Sequence, residues 1–105
     1  MDGNFEVYRA IYDAKQQAKN AAIATVVKVF GSSYRREGAK MFIDETGNSI
    51  GLISGGCLES DVIEIAKQVI EQRKPMTKFY NMDEDLVWGL GLGCPGKVEV
   101  YIEPI

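Results

Sequence analysis

Residues 50–59 read Ile50-Gly51-Leu52-Ile53-Ser54-Gly55-Gly56-Cys57-Leu58-Glu59. An apolar run ends here in two glycines and a thiol, and a helical pattern begins. From Leu58 onward, Val62, Ile65, Ala66 and Val69 recur at helical spacing, with Ile63 and Ile70 widening the stripe. Glu59 and Asp61 fall in the first turn and Arg73 and Lys74 at the end, as the helix dipole favours, and Pro75 stops the pattern. With Gly56 as the N-cap, Cys57 is the first helical residue. The amides around it then lack intrahelical partners, and its sulfur lies near the positive end of a helix. Such a junction suits an anion or a reactive sulfur. Glu59 and Asp61, both negative and close by, oppose a strongly acidic thiol at Cys57.

Upstream, Ser49–Ile53 and Met41–Asp44 flank the turn-rich Glu45-Thr46-Gly47-Asn48, which predicts a hairpin leading into the glycine pair. Gly51 inside the second of these strands points to a close approach by another part of the chain. Ala21–Phe30 is apolar and β-branched, broken only by Thr25 and Lys28, which predicts a strand buried on both faces. Between it and Met41 lie Gly31-Ser32-Ser33 and a loop with adjacent Arg35 and Arg36, followed by Lys40. Solvated charge explains these cations, but the guanidinium fork also matches phosphate or carboxylate. Residues 4–19 read as a helix with Asn4 as N-cap and with Phe5, Tyr8, Ile11, Tyr12 and Ala18 facing the core.

Downstream, Lys78-Phe79-Tyr80 reads as a short strand. In Lys97–Glu103, Val98, Val100 and Ile102 alternate with Lys97, Glu99, Tyr101 and Glu103, which is a half-buried strand ended by Pro104. The expected architecture is therefore α+β: a single compact domain over residues 1–105, with a mixed β-sheet of about five to six strands packed with two main helices.

Trp88-Gly89-Leu90-Gly91-Leu92-Gly93-Cys94-Pro95-Gly96 superficially resembles a dinucleotide fingerprint. It leads into a strand, whereas that fingerprint needs a strand before it and a helix after it, so a Rossmann reading is rejected. A loop remains whose glycines can lay amides against a ligand, or simply make an irregular turn. Cys57 and Cys94 can form a redox pair or jointly ligate a sulfur-bearing cofactor if they meet in space, and sequence does not set that distance.

Bulk composition narrows the classes. A chain of 105 residues suits one core. A net charge of −3 with scattered basic residues speaks against nucleic acid. No apolar run approaches the roughly 20 residues of a membrane span, and the N-terminus lacks the pattern of a secretory signal. With no histidine, Ser-His-Asp and Cys-His catalysis within the chain are excluded. Two cysteines make neither a disulfide framework nor a tetrahedral zinc site on their own, and they suit a reducing cytoplasm. No acid/base pair stands out, so catalytic residues stay unassigned and no resident metal site is expected.

Several motifs in one order carry a resemblance. These are Ala24-Thr25-Val26-Val27, Gly31-Ser32-Ser33 with Arg35, Gly38-Ala39-Lys40-Met41, Ser54–Glu59, Asp83-Glu84-Asp85, and Trp88–Cys94 continuing to Val98-Glu99-Val100. Across residues 24–104 the chain resembles the N-terminal domain of the xanthine dehydrogenase accessory factors, the XdhC/CoxI family. It differs in having Tyr34, Arg36 and Glu37 in a loop that is commonly proline-rich, and Pro95 where glycine is frequent. Typical members continue into a Rossmann-like C-terminal domain; with the sequence ending at Ile105 none is expected here, and the chain is expected to be either a stand-alone short member or a half whose partner is another chain.

The resemblance implies a cytoplasmic maturation factor that binds the molybdenum cofactor (molybdopterin), protects it during sulfuration and helps insert it into a hydroxylase of the xanthine dehydrogenase type. It implies as partners the hydroxylase apoenzyme, a cysteine desulfurase and, for a chain of this length, a separate Rossmann-domain chain. A homo-oligomer is expected for so small a domain. By motif position, the cations Arg35 and Lys40 and exposed amides at Gly55 and Gly56 suit the pterin phosphate, Cys57 and Cys94 suit the molybdenum–sulfur centre, and Ser54, Gly91 and Gly93 complete the cofactor-binding residues that the resemblance implies. Two other classes stay open from the residues alone: a thiol-dependent redox or sulfur-transfer enzyme using Cys57 with Cys94, and an oligomeric scaffold.

Overall fold

A computed structural model describes residues 4–30, 37–54, 56, 58–81 and 96–105. Within them the order is α1 (Phe5–Gln16), β1 (Ala21–Phe30), β2 (Lys40–Asp44), β3 (Ser49–Ile50), α2 (Glu59–Gln72), β4 (Met76–Asn81) and β5 (Lys97–Pro104). The strands form one five-stranded sheet in the order β3-β2-β1-β5-β4. The class is α+β as expected. The sheet, however, is antiparallel at every pairing and not mixed. The reason lies in the crossover: α2 carries the chain from one edge strand, β3, to the opposite edge strand, β4. Strands of like direction are thereby separated by antiparallel neighbours.

The β1 strand sits at the centre, and its two faces meet two different cores. Ala22, Ala24 and Val26 face α2, where they join Met41, Ile43, Val62, Ala66, Val69, Val98, Val100 and Ile102. Ala21 and Ile23 face α1, with Val7, Ala10, Ala14 and Phe42. The expected alternation of β5 holds, since Val98, Val100 and Ile102 are buried. Burial of β1 on both faces holds only for its first half: Val27 and Lys28 are exposed. The ladder with β5 slips there, from Val26↔Val100 to Lys28↔Glu99, which leaves Val27 as the extra residue of a bulge. Past the bulge, Val29 and not Lys28 packs on the α2 side.

Helix α1 shows the wrong face to the core if only hydrophobicity is counted. The buried residues are Val7, Ala10 and Ala14, while Phe5, Tyr8 and Tyr12 are exposed, so the expected aromatic core stripe is corrected. The packing explains the exchange. Gly51 has φ +94, and a Cβ built on it would lie 2.6 Å from Val7 Cγ2 and 2.6 Å from the Lys40 carbonyl oxygen. A helix lying this close accepts small side chains and rejects rings. Asn4 caps the helix by position only, without a side-chain cap bond. Its Nδ2 donates to the Gly38 carbonyl (2.8 Å) and its Oδ1 accepts from the Lys40 amide (2.9 Å), tying the helix start to the head of β2.

The element ends also differ from expectation. Helix α1 stops at Gln16, where the Lys19 amide donates to Ala14 O and the Ala18 amide to Lys15 O. These are the two bonds of a Schellman motif, with Ala18 at φ 53 in the position that favours glycine. Ala18 is exposed. Replacing it with glycine is expected to stabilise the domain by about 1 kcal/mol, the cost of a left-handed residue with a Cβ; an unchanged or lower urea midpoint would contradict this. The expected strand Ser49–Ile53 shortens to Ser49–Ile50, because Gly51 turns the chain away from β2. The hairpin itself forms as expected: the Asp44 amide donates to Asn48 O (2.9 Å), and Asp44 Oδ1 accepts from the Thr46 and Asn48 amides and the Thr46 hydroxyl.

Candidate functional site

The topology brings three chain segments to one end of the sheet. Phe30, which ends β1, pairs with Lys97, which begins β5, and Lys97 pairs in turn with Asn81, which ends β4. Phe30 and Phe79 pack edge to face with ring centroids 6.0 Å apart. On the other side of the sheet, the Tyr80 hydroxyl donates to Asp61 in the first turn of α2. That bond ties the end of β4 to the start of the helix that follows the Ser54–Glu59 stretch. Burial and the adjacent Asp61 carboxylate both push the Tyr80 phenol well above its ordinary range, so it stays a donor. Of the expected site residues, Arg35, Gly55, Cys57, Gly91, Gly93 and Cys94 lie outside the described residues. Lys40, Ser54 and Gly56 lie within them.

The approach to α2 is organised by a residue for which sequence reasoning assigned only an opposing charge. Glu59 Oε2 accepts from the Ile53 and Ser54 amides, each at 2.8 Å. Its Oε1 accepts from the Ser54 hydroxyl (2.6 Å) and from the Gly56 (3.0 Å) and Leu58 (3.2 Å) amides. The Ser54 hydroxyl, itself buried, also accepts from the Leu58 amide at 2.8 Å. Burial alone would raise the Glu59 pKa. The bonds from the Ser54 hydroxyl and the Ile53 and Ser54 amides outweigh it and hold the carboxyl below the ordinary glutamate range.

The helix accordingly begins at Glu59, with Leu58 at the cap position and not Gly56. The Gly56 amide, expected to be open to a phosphate, is a donor to Glu59. Gly56 has φ +111, a conformation that glycine adopts without strain and that aims its amide inward. No capping-box pattern marks this in the sequence: with Leu58 at the cap position Glu59 is the first helical residue, whereas that pattern places the acid at the third. Lys40 Nζ donates to the Thr25 hydroxyl at 3.1 Å from a half-buried position. An ammonium has three donors, and this bond uses one of them. Tested against a phosphate-bearing ligand, Ser54 and Gly56 therefore fit as parts of the loop's framework and not as phosphate donors, while Lys40 retains the chemistry for the role.

An α+β domain whose described strands pair only antiparallel is not a doubly wound nucleotide fold. The family model of the XdhC and CoxI family matches residues 14–81, and the chain belongs to that family. It is 40% identical over 92 residues to a probable xanthine dehydrogenase subunit of Bacillus subtilis, a match covering 86% of this chain and 28% of that protein. It is 34% identical over 59 residues to the molybdenum cofactor insertion chaperone PaoD of Escherichia coli, covering 56% of this chain and 19% of that one. The crystal structure of a xanthine dehydrogenase from Bacillus halodurans superposes with a TM-score of 0.78 at 40% identity, over 91% of this chain and 29% of that chain. The chain thus spans less than a third of the length of these relatives. No helix among the described residues is long and apolar enough to cross a membrane.

Proposed function

We propose that this domain is a molybdenum cofactor-binding maturation factor, acting in the cytoplasm, that assists sulfuration of the cofactor and its insertion into a hydroxylase of the xanthine dehydrogenase type. The observation that carries this reading is topological. The segments bearing Arg35 and Cys94 are bounded by residues at one end of the sheet, and the Asp61–Tyr80 bond ties the first turn of α2, which follows Cys57 in the sequence, to the end of β4. The family, with a molybdenum cofactor insertion chaperone among the relatives, supplies the ligand class. In this reading Arg35 and Lys40 meet the phosphate, and Gly55, Gly91 and Gly93 allow close backbone approach. Cys57 and Cys94 present sulfur to the metal end, and Ser54 and Gly56 shape the loop. The partners are the hydroxylase apoenzyme, a cysteine desulfurase and a separate Rossmann-domain chain, and the domain works as a homo-oligomer. A thiol-dependent enzyme has less support, because Glu59, a negative charge two residues from Cys57 in the sequence, already accepts from the Gly56 and Leu58 amides that flank it.

Anaerobic titration of the chain with molybdenum cofactor tests the reading. Saturable binding is expected, weakened on the order of tenfold or more in Cys57→Ala and in Cys94→Ala, the size typical of losing a soft ligand or its support. Absence of binding by the intact chain would overturn the reading, and binding untouched by both substitutions would remove the thiols from it.

A further inference from the structure

We propose that Glu59 is the positioning residue of this site, an internal anion on which donors of Ile53, Ser54, Gly56 and Leu58 converge. The proposal rests on the cofactor-binding reading for its functional half. Five donors converge on one carboxylate: the amides of Ile53, Ser54, Gly56 and Leu58 and the Ser54 hydroxyl. They come from both sides of Cys57, the Gly56 and Leu58 amides meeting on the same oxygen, Oε1. The stretch is also anchored to the core on either side, since Ile53 and Leu58 are buried in the α2-side cluster. An arrangement of convergent amides closed by a built-in carboxylate is already neutralised, so it does not act as the ligand's anion hole. It sets the path of the backbone on either side of Cys57, and an external anion finds no room there while Glu59 is in place.

This makes a chemical prediction that a merely helix-favouring acid does not share. Glu59→Ala leaves the same donors converging on a carboxylate-sized gap, and a small carboxylate from solution should fill it. The variant is expected to melt at lower temperature than the parent chain. Sodium acetate or formate should recover part of that loss, and sodium chloride at equal ionic strength should not. Glu59→Gln, which turns an NH₂ toward donors, is expected to be no better than Glu59→Ala. In the intact chain, molybdenum cofactor affinity is expected to fall on the order of tenfold to a hundredfold in Glu59→Ala, the usual range for a supporting residue, and to recover with acetate.

Equal recovery by chloride and acetate, or none by either, would overturn the internal-anion assignment. Parent-like cofactor affinity in a folded Glu59→Ala variant would overturn the positioning role. Failure of the parent chain to bind cofactor would count against the functional reading instead, and the carboxylate-specific recovery of melting temperature would still decide the structural half.

Discussion

Gly51→Ala is expected to destabilise the domain by about 3–5 kcal/mol, the sum of a strained left-handed backbone and an overpacked contact. The added Cβ would lie 2.6 Å from a backbone oxygen, that of Lys40, and 2.6 Å from Val7 Cγ2, with the Met41 Cα at 3.5 Å. Neither close neighbour can swing aside. The Lys40 carbonyl belongs to β2, and Val7 is fully buried on the side of α1 that faces the sheet. Relief therefore requires that α1 lift from the sheet or that the chain after β3 leave its path, and that path leads directly to Ser54. For a domain whose whole stability is of order 5–15 kcal/mol, the loss is a large share. Urea unfolding of the variant should show a markedly lower midpoint with an unchanged slope, and a midpoint within the equivalent of about 1 kcal/mol of the parent would show that the close packing of α1 is mistaken.

The second large effect is at Ser54. Ser54→Ala removes a buried hydroxyl that donates to Glu59 at 2.6 Å and accepts from the Leu58 amide at 2.8 Å. A charge-assisted bond of this kind is worth about 2–3 kcal/mol, and that is the expected loss at neutral pH. The loss should itself depend on pH. Glu59 has a depressed pKa in the folded chain, so its stabilisation is present above the ordinary glutamate value of 4.5 and fades as pH falls through the lower, folded value. The Ser54 hydroxyl is among the causes of that depression. The gap in stability between parent and Ser54→Ala should therefore narrow as pH falls below 4.5. Asp44 is held below its ordinary range too, burial again opposing and the Thr46 and Asn48 bonds prevailing, but it contributes alike to both proteins. A gap constant from pH 7 to pH 3 would mean that the hydroxyl does not act through the Glu59 carboxylate.

The fold was legible where a single period ran undisturbed. The limits of β1, Ala21 and Phe30, follow from its apolar run, and the alternation of Lys97–Glu103 gives both the strand and its buried face. The body of helix α2 and the hairpin after Asp44 were equally plain, because the apolar stripe, the acidic first turn and the turn residues agree, although the helix starts at Glu59 and not at Cys57. Helix α1 misled for a definite reason. Its aromatic residues outweigh Val7, Ala10 and Ala14 in hydrophobicity, yet the space above Gly51 admits only small groups. Whether a helix buries its most apolar side or its smallest one depends on how closely it must approach its neighbour.

The site was legible as composition and hidden as wiring. Two glycines, a cysteine and a helix start marked Ser54–Glu59 as special, and that followed from local chemistry. That Glu59 turns back to close the amides depends on one rotamer and on the positive φ of Gly56, which sequence cannot specify. Residue order alone specified an α+β domain, its strands and their apolar faces, and the motifs of its family, because these arise from periodicity and from residue types at fixed spacing. Tertiary packing was needed to establish that α2 crosses from edge to edge, leaving no parallel pair among the described strands, and that the ends of β1 and β4 meet the start of β5 at one end of the sheet. The same is true of the anion at the helix start, which turns out to be the chain's own. All three outcomes rest on contacts between residues distant in sequence or on a single side-chain conformation, and neither leaves a period to read.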